Sequence, residues 1–490
     1  MVAEKYLNRP SLILFLIFIV YLPLYFYRVN DPLLDTYSFR QTQTATIARN
    51  FYRHGINLWK TELDIFGPGE EKYFVLEFPL YQATVAIIYK IFSVNPAWGR
   101  IVSIFMGYLG ALFLFLLIRM FTLDSGLSYL SIFIYLGIPI NLHFNRTFIM
   151  DPMVVTLTLA FLYFFSAAVL TDSLLLWVIG LITASLSFLH KGIYGPFFLL
   201  PVVYLCFSER QRLKNWWLLI LSLSLPLALL FLWYLHAAGI NLATGHGDHT
   251  LGDPAYRIWN FGLWKDRFSW QMWRPRLINL YPEFFTPVTV IPSAVGLFKL
   301  TELKNRGFFI MLLSSSIIYF LTIFRLQDCH YYQLLITPIA AVLCAQGLIT
   351  VASFIPGRRE KNAFLVFFAL SFLISSVPLA YRYRLLQPEV LEVAEFVKSH
   401  THTEEAVIYC LPEYDWNSQY VYYAERKGIV LDSLGLKAGR INSFKRKGYG
   451  LIVLLDWQKY LDLNKKHRFL QGLPLLKESS FYRIYSLKNE

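Results

Sequence analysis

The feature that most constrains this chain is a series of eleven long apolar blocks separated by short charged loops. A helix needs about 20 apolar residues to cross the hydrocarbon core of a bilayer, and most of the blocks approach that length. A soluble globular domain carries about 25% charged residues, whereas only 16% of these 490 residues are charged and 56% are hydrophobic. The sequence therefore predicts a polytopic membrane protein. The blocks are residues 11–27, 101–121, 126–143, 153–170, 173–189, 193–207, 216–236, 284–300, 308–324, 333–353 and 363–380.

Loop charge gives a topology for these blocks. A shorter block, residues 78–92, suits a re-entrant or interfacial helix better than a crossing. If it does not cross, every basic cluster falls on the side of the N-terminus, as expected for short cytoplasmic loops. We therefore predict about 11 spans in a cell inner membrane, with a retained first helix and a cytoplasmic N-terminus. The clusters are Lys5/Arg9, Arg119, Arg210/Arg212/Lys214, Lys304/Arg306 and Arg358/Arg359/Lys361.

This topology puts the longer connections on the outer face of the membrane. That face receives the long segments 28–77 and 237–283 and the short turns 146–151, 190–192 and 325–332. The formal net charge is +13, which we attribute to loops that face anionic lipid headgroups rather than to nucleic-acid binding. The lipid bilayer is thus an expected partner, and no nucleic acid is.

The last part of the chain has a different character. Charge density rises from residue 384 onward and the apolar runs shorten. Helical periodicity at residues 390–400 is interleaved with short apolar runs typical of buried strands, which predicts a small extracytoplasmic α/β domain at residues 384–490. The fold class expected overall is mostly α, a membrane helix bundle over residues 1–383 followed by this soluble domain. The expected strands are residues 406–410, 428–431, 451–455 and 481–485.

The first outer loop, residues 28–77, contains the first candidate chemistry. Residues 39–54 have the pattern of an amphipathic helix that lies at the membrane surface. Asp35 stands between the first crossing and this helix, where a fixed carboxylate could act as a general base. The alternative is an ordinary solvated loop with capping residues.

Two short outer turns contain charged residues that could bind an anion. Asp151 precedes Pro152 at the start of an apolar block, where Asp is also a good helix cap, and Arg146 lies five residues earlier. In His190-Lys191-Gly192, the broken backbone between two spans is typical of a cavity lining. Lys191 is placed to hold a phosphate there, although a lysine at a helix end often only extends toward the headgroups.

A fourth outer feature is the group Arg325, Asp328, His330, Tyr331 and Tyr332, whose tyrosines could simply belong to the interfacial aromatic belt. The loop at residues 245–249 contains His and Asp, which suit a metal, but such spacings are common by chance.

Most of the ionisable residues singled out share the outer face, and few lie within the apolar blocks. A coupled transporter usually places ionisable groups near the bilayer midplane, so the pattern favours an enzyme that handles a lipid phosphate at the interface. Two alternatives remain open, a lipid-linked-saccharide flippase and a structural or assembly membrane protein.

Taken together, the motifs resemble the GT-C membrane glycosyltransferases that use polyprenyl-phosphate sugars, in particular the superfamily of protein O-mannosyltransferases and lipid A aminoarabinose transferases. Each motif is short. The resemblance across residues 11–348 rests on the order of the motifs and on their predicted position on the same side of the membrane. The matching elements are Asp35 in a large first outer loop, Glu77-Phe78-Pro79-Leu80-Tyr81, Arg146 with Asp151-Pro152, His190-Lys191-Gly192, and His330-Tyr331-Tyr332 followed by Pro338.

The resemblance implies an inverting glycosyltransferase of cell envelope glycosylation with an extracytoplasmic active site. Its donor would be a polyprenyl-phosphate-linked sugar and its acceptor an unidentified hydroxyl or amine on a lipid, glycan or protein. Asp35 would be the catalytic base, and no cofactor is required, although a divalent metal is possible. The substrate-binding residues would be Arg40, Glu77, Arg146, Asp151, Lys191, His330, Tyr331 and Tyr332.

Two departures from the family pattern concern the base and the phosphate contacts. Asp35 is followed by Thr36, where many relatives have a second acidic residue. Phe78 stands where the aminoarabinose transferases often have a basic residue, so one phosphate contact must come from elsewhere.

Overall fold

The structure is a computed structural model that describes residues 12–67, 72–192, 194–211, 216–382, 387–411, 417–431, 436–458, 470 and 472–488. Four of the basic residues used for the topology, Lys5, Arg9, Arg212 and Lys214, lie outside these ranges, and so does the expected domain boundary at residues 383–384.

Helices dominate the chain up to residue 382, and every predicted apolar block contains helix. In the described ranges the helices up to that point are α1 Leu12–Phe26, α2 Ser38–His54, α3 Leu80–Phe92, α4 Pro96–Thr122, α5 Ser125–Gly137, α6 Pro139–Phe144, α7 Asp151–Thr171, α8 Leu174–His190, α9 Leu199–Ser208, α10 Trp216–Ala243, α11 Pro254–Phe261, α12 Trp270–Phe284, α13 Val290–Lys299, α14 Arg306–Thr322, α15 Thr337–Ser353 and α16 Arg358–Tyr381. Short 3-10 helices occupy Gly195–Phe198, Gly247–His249, Trp264–Phe268, Leu300–Glu302, Phe324–Gln327 and His330–Ile336.

Several helices are long and apolar enough to cross a membrane. By length and composition, five qualify within the described ranges, and six shorter apolar helices of 10–17 residues accompany them. The chain is therefore a multi-pass membrane protein, whereas the count of about 11 spans and the orientation stay predictions. The five are Pro96–Thr122, Asp151–Thr171, Trp216–Ala243, His330–Ser353 and Arg358–Tyr381.

Local sequence explains where several helices begin. Asn95 caps α4 by accepting a hydrogen bond from the Ala97 amide, and Pro96 occupies the first turn, where its missing N–H costs nothing. Asp124 caps α5 through the Leu127 amide in the same way. Helices α13 and α15 cross closely because glycines stand at their contact: a Cβ on Gly347 would lie 1.7 Å from the Pro292 carbonyl oxygen.

The C-terminal region forms a five-stranded sheet with helices α17 Pro388–His400, α18 Gln419–Ala424 and α19 Ala438–Arg446. The strands lie in the order β2-β1-β3-β5-β4, with β2, β1 and β3 parallel and β5 antiparallel to its neighbours. The predicted α/β architecture is confirmed, and all four expected strands are present. The exposed edge strand β4 was not predicted, because it has no buried apolar pattern. The strands are β1 Ala406–Cys410, β2 Gly428–Leu431, β3 Tyr449–Leu455, β4 Leu475–Glu478 and β5 Tyr482–Ser486.

Helix α2, expected to lie on the membrane surface, is instead buried between α3 and the C-terminal sheet region. Polar side chains of α2 contact α18 and the residue directly before it. The Thr42 and Ser418 hydroxyls lie 2.8 Å apart, and the Arg49 guanidinium donates to the Tyr422 carbonyl at 2.8 Å. The polar face of the amphipathic pattern therefore faces protein. This packing fixes the first outer loop between the membrane helices and the C-terminal region.

Candidate active site

The site is organised around a broken turn between α8 and the 3-10 helix Gly195–Phe198. At the end of α8, the His190 ring lies with Nδ1 2.8 Å from the Phe78 carbonyl oxygen, and the Phe78 amide donates to the Leu189 carbonyl at 3.2 Å. These bonds tie the Glu77-Phe78 segment of the first outer loop to the turn that contains Lys191. They explain how two motifs more than 100 residues apart contribute to one site.

Lys191 is buried in a polar and aromatic cage. Its ammonium group lies 2.7 Å from an Asp151 carboxylate oxygen, with 2% and 0% of the two side chains exposed. The same oxygen accepts a hydrogen bond from the Tyr194 hydroxyl at 2.6 Å. The ammonium also lies 4.0 Å from the centre of the Tyr332 ring and 4.9 Å from that of Tyr331, where the ring faces stabilise a cation.

Asp151 does not act as a helix cap. It is the first residue of α7, the cap position belongs to Met150, and no side chain caps this end. One oxygen of the carboxylate binds Lys191 and Tyr194, whereas the other has no hydrogen-bond partner among the described residues. A buried, half-satisfied carboxylate is costly, which is typical of a site that a ligand completes.

A second ion pair borders the first. The Arg40 guanidinium donates to a Glu77 carboxylate oxygen at 2.5 Å, and both side chains are mostly buried. Burial raises the pKa of the Glu77 carboxyl, but the charges of Arg40 and Lys191 outweigh it and hold this pKa below its usual value. Glu77 is therefore ionised at neutral pH.

Two cavities meet at Glu77 and Tyr332. The first, which we call the apolar cavity, has a volume of about 460 Å³ and extends along α10 beside Phe231, Leu235 and Leu242. These three side chains are more than half exposed on the surface of a candidate span. Lys191 lines the apolar cavity at its polar end.

The second, which we call the acidic cavity, has a volume of about 520 Å³ and also includes Glu77 in its lining. Arg40 and Tyr331 line its inner end, and Asp248, Asp253 and Trp259 line its outer part. The two cavities share Glu77, and the acidic cavity also contains Asp248 and Asp253, so the arrangement can bring a lipid-borne group and a second molecule to the same carboxylate.

His330 supports the tyrosine pair from outside the cage. Its Nδ1 contacts a carboxylate oxygen of the fully buried Glu283, and its amide donates to the Tyr37 hydroxyl at 3.1 Å. The Tyr37 ring packs edge-on against Tyr331 with ring centres 5.0 Å apart. His330 thus holds the segment that supplies two walls of the cage.

Arg146 and Asp35 occupy different surroundings. The Arg146 guanidinium donates to the Tyr25 and Tyr27 carbonyls at 3.1 and 2.7 Å, at the end of α1. Asp35 is buried, accepts from the Gln41 amide and lies 3.7 Å from the Arg100 guanidinium. Neither residue lines the apolar or the acidic cavity.

The structure therefore brings together Arg40, Glu77, Asp151, Lys191, Tyr331 and Tyr332, with His330 behind them.

The donor set around the cage does not favour a metal site. Glu77 and Asp151 are each paired with a cation. In the described ranges, no three His, Cys, Asp or Glu side chains are grouped so that they could hold a metal ion. In the loop at residues 245–249, His246 stacks on Phe66 and His249 lies against Phe74.

Sequence reasoning missed Tyr194 and Arg100. Tyr194 sits in the glycine-rich break after Lys191, and only its contact with Asp151 reveals its part in the cage. Arg100 is 1% exposed in the long apolar helix α4 and donates to the Val29 and Pro32 carbonyls at 3.0 Å. A lone arginine inside an apolar helix was the available signal.

Comparison with known proteins identifies the architecture. Residues 77–234, which contain Glu77, Asp151 and Lys191, match the family model described as dolichyl-phosphate-mannose-protein mannosyltransferase. ArnT from Cupriavidus metallidurans bound to undecaprenyl phosphate superposes with a TM-score of 0.62 over 97% of this chain and 98% of that one, at 13% identity. The chain has the GT-C fold.

Further solved structures support the GT-C assignment. The apo state of the same ArnT gives a TM-score of 0.65 at 13% identity, over 97% of both chains. The Archaeoglobus fulgidus oligosaccharyltransferase, in complex with Zn and sulfate, gives 0.60 at 14% identity, over 93% of this chain and 69% of that one. No curated protein matches this GT-C chain in sequence.

Proposed function

We propose that this protein is an inverting glycosyltransferase that moves a sugar from a polyprenyl-phosphate donor to an acceptor hydroxyl on the outer face of the membrane. The observation that carries the proposal is the caged Lys191, placed beside the Arg40–Glu77 pair where the apolar and acidic cavities meet. The GT-C fold, and the undecaprenyl phosphate bound by the ArnT structure, support this reaction class.

The apolar cavity suits the donor. A polyprenyl chain can lie along the exposed apolar face of α10, with its phosphate at the polar end beside Lys191. Asp151 takes one of the three N–H donors of this ammonium group, which leaves others for phosphate oxygens. Arg40 lies nearby, and its contact with Glu77 uses only one terminal nitrogen, so guanidinium donors remain for the same phosphate.

Charge stabilisation then drives the departure of the lipid phosphate. In an in-line displacement, the acceptor oxygen bonds to the anomeric carbon as the bond from that carbon to the phosphate oxygen breaks. The electron pair leaves with polyprenyl phosphate, whose negative charge is stabilised by Lys191 and Arg40. In a water-poor site such fixed cations contribute more than they would in water.

Glu77 is the better placed general base. It is ionised, and it lines both cavities, so an acceptor in the acidic cavity and a sugar in the apolar cavity can both reach it. Asp35 was the base predicted from sequence, but its carboxylate is held by Gln41 and Arg100 away from these cavities. We therefore assign the acceptor proton to Glu77 and a loop-ordering role to Asp35.

The test is sugar transfer by the purified full chain. Radiolabelled polyprenyl-phosphate sugars serve as donors and a membrane extract as the acceptor pool. Glu77→Gln should lower the rate at least about 100-fold, the scale of a lost general base, and Lys191→Ala should lower it through lost phosphate stabilisation. Glu360→Gln, an exposed glutamate at the start of α16, is the matched control and should behave as wild type.

Three outcomes would change the assignment. If folded Asp35→Asn loses transfer while Glu77→Gln keeps it, the base is Asp35. If Lys191→Ala matches wild type, the phosphate site lies elsewhere. If every donor binds but none is consumed, the glycosyltransferase proposal fails and a lipid-linked-saccharide flippase explains the site better.

A further inference from the structure

The acidic cavity contains residues that the donor chemistry does not use. Its outer part is built by the loop between α10 and α11 and by α11 itself, through Asp248, Asp253 and Trp259. Its lining includes Glu77, the proposed base, which also lines the apolar cavity along α10. A molecule in this cavity can therefore present a hydroxyl to Glu77 while the donor lies in the apolar cavity.

We infer that the acidic cavity receives the acceptor, and that the acceptor is a carbohydrate without phosphate groups. This inference rests on the proposed function and names the substrate class of the same site. It follows from the aromatic surface, the charge and the size of the cavity.

The aromatic surface is a stacked pair. The rings of Tyr256 and Trp259 are parallel within 9°, with centres 5.9 Å apart. Both line the acidic cavity, and Tyr256 also lines the apolar cavity. The faces of such rings carry negative partial charge. The C–H face of a sugar ring is weakly positive and apolar, so it packs well on such a surface.

The charge of the lining disfavours anionic acceptors. Three carboxylates, Glu77, Asp248 and Asp253, line the cavity with one guanidinium, Arg40, whose nearest partner is Glu77 itself. The imidazole of His249 also lines it and is paired with Asp248. Phosphate recognition generally requires arginine or lysine donors, and the outer part of the cavity supplies none. Carboxylates accept hydrogen bonds from neutral hydroxyl groups, as a carbohydrate offers them.

Each of the two outer carboxylates makes one bond within the protein and lies at the rim of the cavity. Asp248 has 69% of its side chain exposed, and one of its oxygens lies 2.8 Å from the Nδ1 atom of His249. Asp253 uses one oxygen to cap α11 by accepting from the Tyr256 amide at 2.9 Å, which holds the carboxylate at the edge of the aromatic surface. The volume of about 520 Å³ is typical of sites for small organic molecules.

The reaction balances without a further co-reactant. A hydroxyl oxygen of the acceptor sugar forms the new glycosidic bond to the anomeric carbon of the donor sugar. Its proton passes to Glu77, and polyprenyl phosphate leaves with the electron pair of the broken bond.

The experiment offers three acceptor classes to the full-length protein in nanodiscs, with the donor that it consumes. These are short neutral oligosaccharides of glucose, mannose or N-acetylglucosamine, a Ser/Thr-rich peptide, and a phosphorylated lipid A. We expect transfer to an oligosaccharide. Trp259→Ala should raise the KM for that oligosaccharide about tenfold, which corresponds to about 1.4 kcal/mol of lost binding.

The matched control is Trp264→Ala. Trp264 belongs to the same loop region, is 75% exposed and lines neither cavity, so its loss should leave the KM unchanged. Asp248→Asn should weaken oligosaccharide binding and reduce the discrimination against phosphorylated lipid A.

Transfer to the peptide or to phosphorylated lipid A in preference to every oligosaccharide would overturn the inference. An unchanged KM in Trp259→Ala would also overturn it. If the glycosyltransferase proposal itself is wrong, the result is different: no polyprenyl-phosphate sugar is then transferred to any acceptor or hydrolysed by water.

Discussion

Among the individual side chains, Glu77 connects the structure most directly to a pH dependence. Arg40 and Lys191 lower the pKa of its carboxyl, so this base keeps its charge as the pH falls below about 4.3, the ordinary pKa of glutamate. The form that can accept a proton is lost only when the pH falls through the lowered pKa.

We therefore predict that the acidic limb of the kcat/KM profile for the acceptor lies below about pH 4.3. In Arg40→Gln this limb should move to higher pH, because the effect of burial on the pKa is then opposed only by the weaker influences of Lys191, a backbone hydrogen bond and His190. The measurement is a pH profile of both proteins, with activity checked again at pH 7 to exclude unfolding. A limb that stays in place in the variant would contradict the role given to Arg40.

The sequence was sufficient to predict which individual charged residues belong to the site, but not which of them pair with one another. Lys191, Asp151 and Glu77 each interrupt or border an apolar block, which marks them as unusual. That Lys191 meets Asp151, and that Arg146 instead binds carbonyls at the end of α1, depends on contacts between distant segments. Periodicity and spacing do not encode such contacts.

Helices and strands were predictable wherever burial imposes a pattern. The apolar blocks predicted the helices. The runs at 406–410 and 451–455 predicted two central strands, which are fully buried in the structure. Strand β4, Leu475–Glu478, is an exposed edge strand with mixed side chains and has no such pattern. Helix α2 showed its amphipathic period, but the sequence did not reveal that protein would cover its polar face.

Helix packing also gives a testable prediction, at the crossing of α13 and α15. Gly347→Ala would push a methyl group into the Pro292 carbonyl, at 1.7 Å in the present geometry, so the helices must separate. Overpacking of this kind costs about 1–3 kcal/mol, and we expect a lower midpoint of thermal unfolding in detergent. Gly239→Ala in α10, where nothing lies within 4 Å of the added Cβ, is the control. Equal midpoints for the two variants would contradict the close crossing.

For the molecule as a whole, the assembled charges predict an enzyme that works without a divalent metal. The two carboxylates at the proposed reacting centre, Glu77 and Asp151, are each paired with a protein cation, Arg40 or Lys191. These cations also supply the positive charge that a metal would bring to the phosphate. We expect transfer by the intact protein to persist in excess EDTA. Activity that disappears with EDTA and returns with Mg²⁺ or Mn²⁺ would contradict this.

The contact between the C-terminal region and α2 has a consequence for the order in which parts of the protein fold during synthesis. Arg49 in the first outer loop binds the carbonyl of Tyr422, a residue 373 positions later. At about 5–20 residues per second, roughly 20 to 75 seconds of synthesis separate the two. During that interval the helix that carries Arg40 lacks the partner that orders it. We therefore expect the wall of the acidic cavity that this helix contributes to be completed last, after most of the membrane helices have been made.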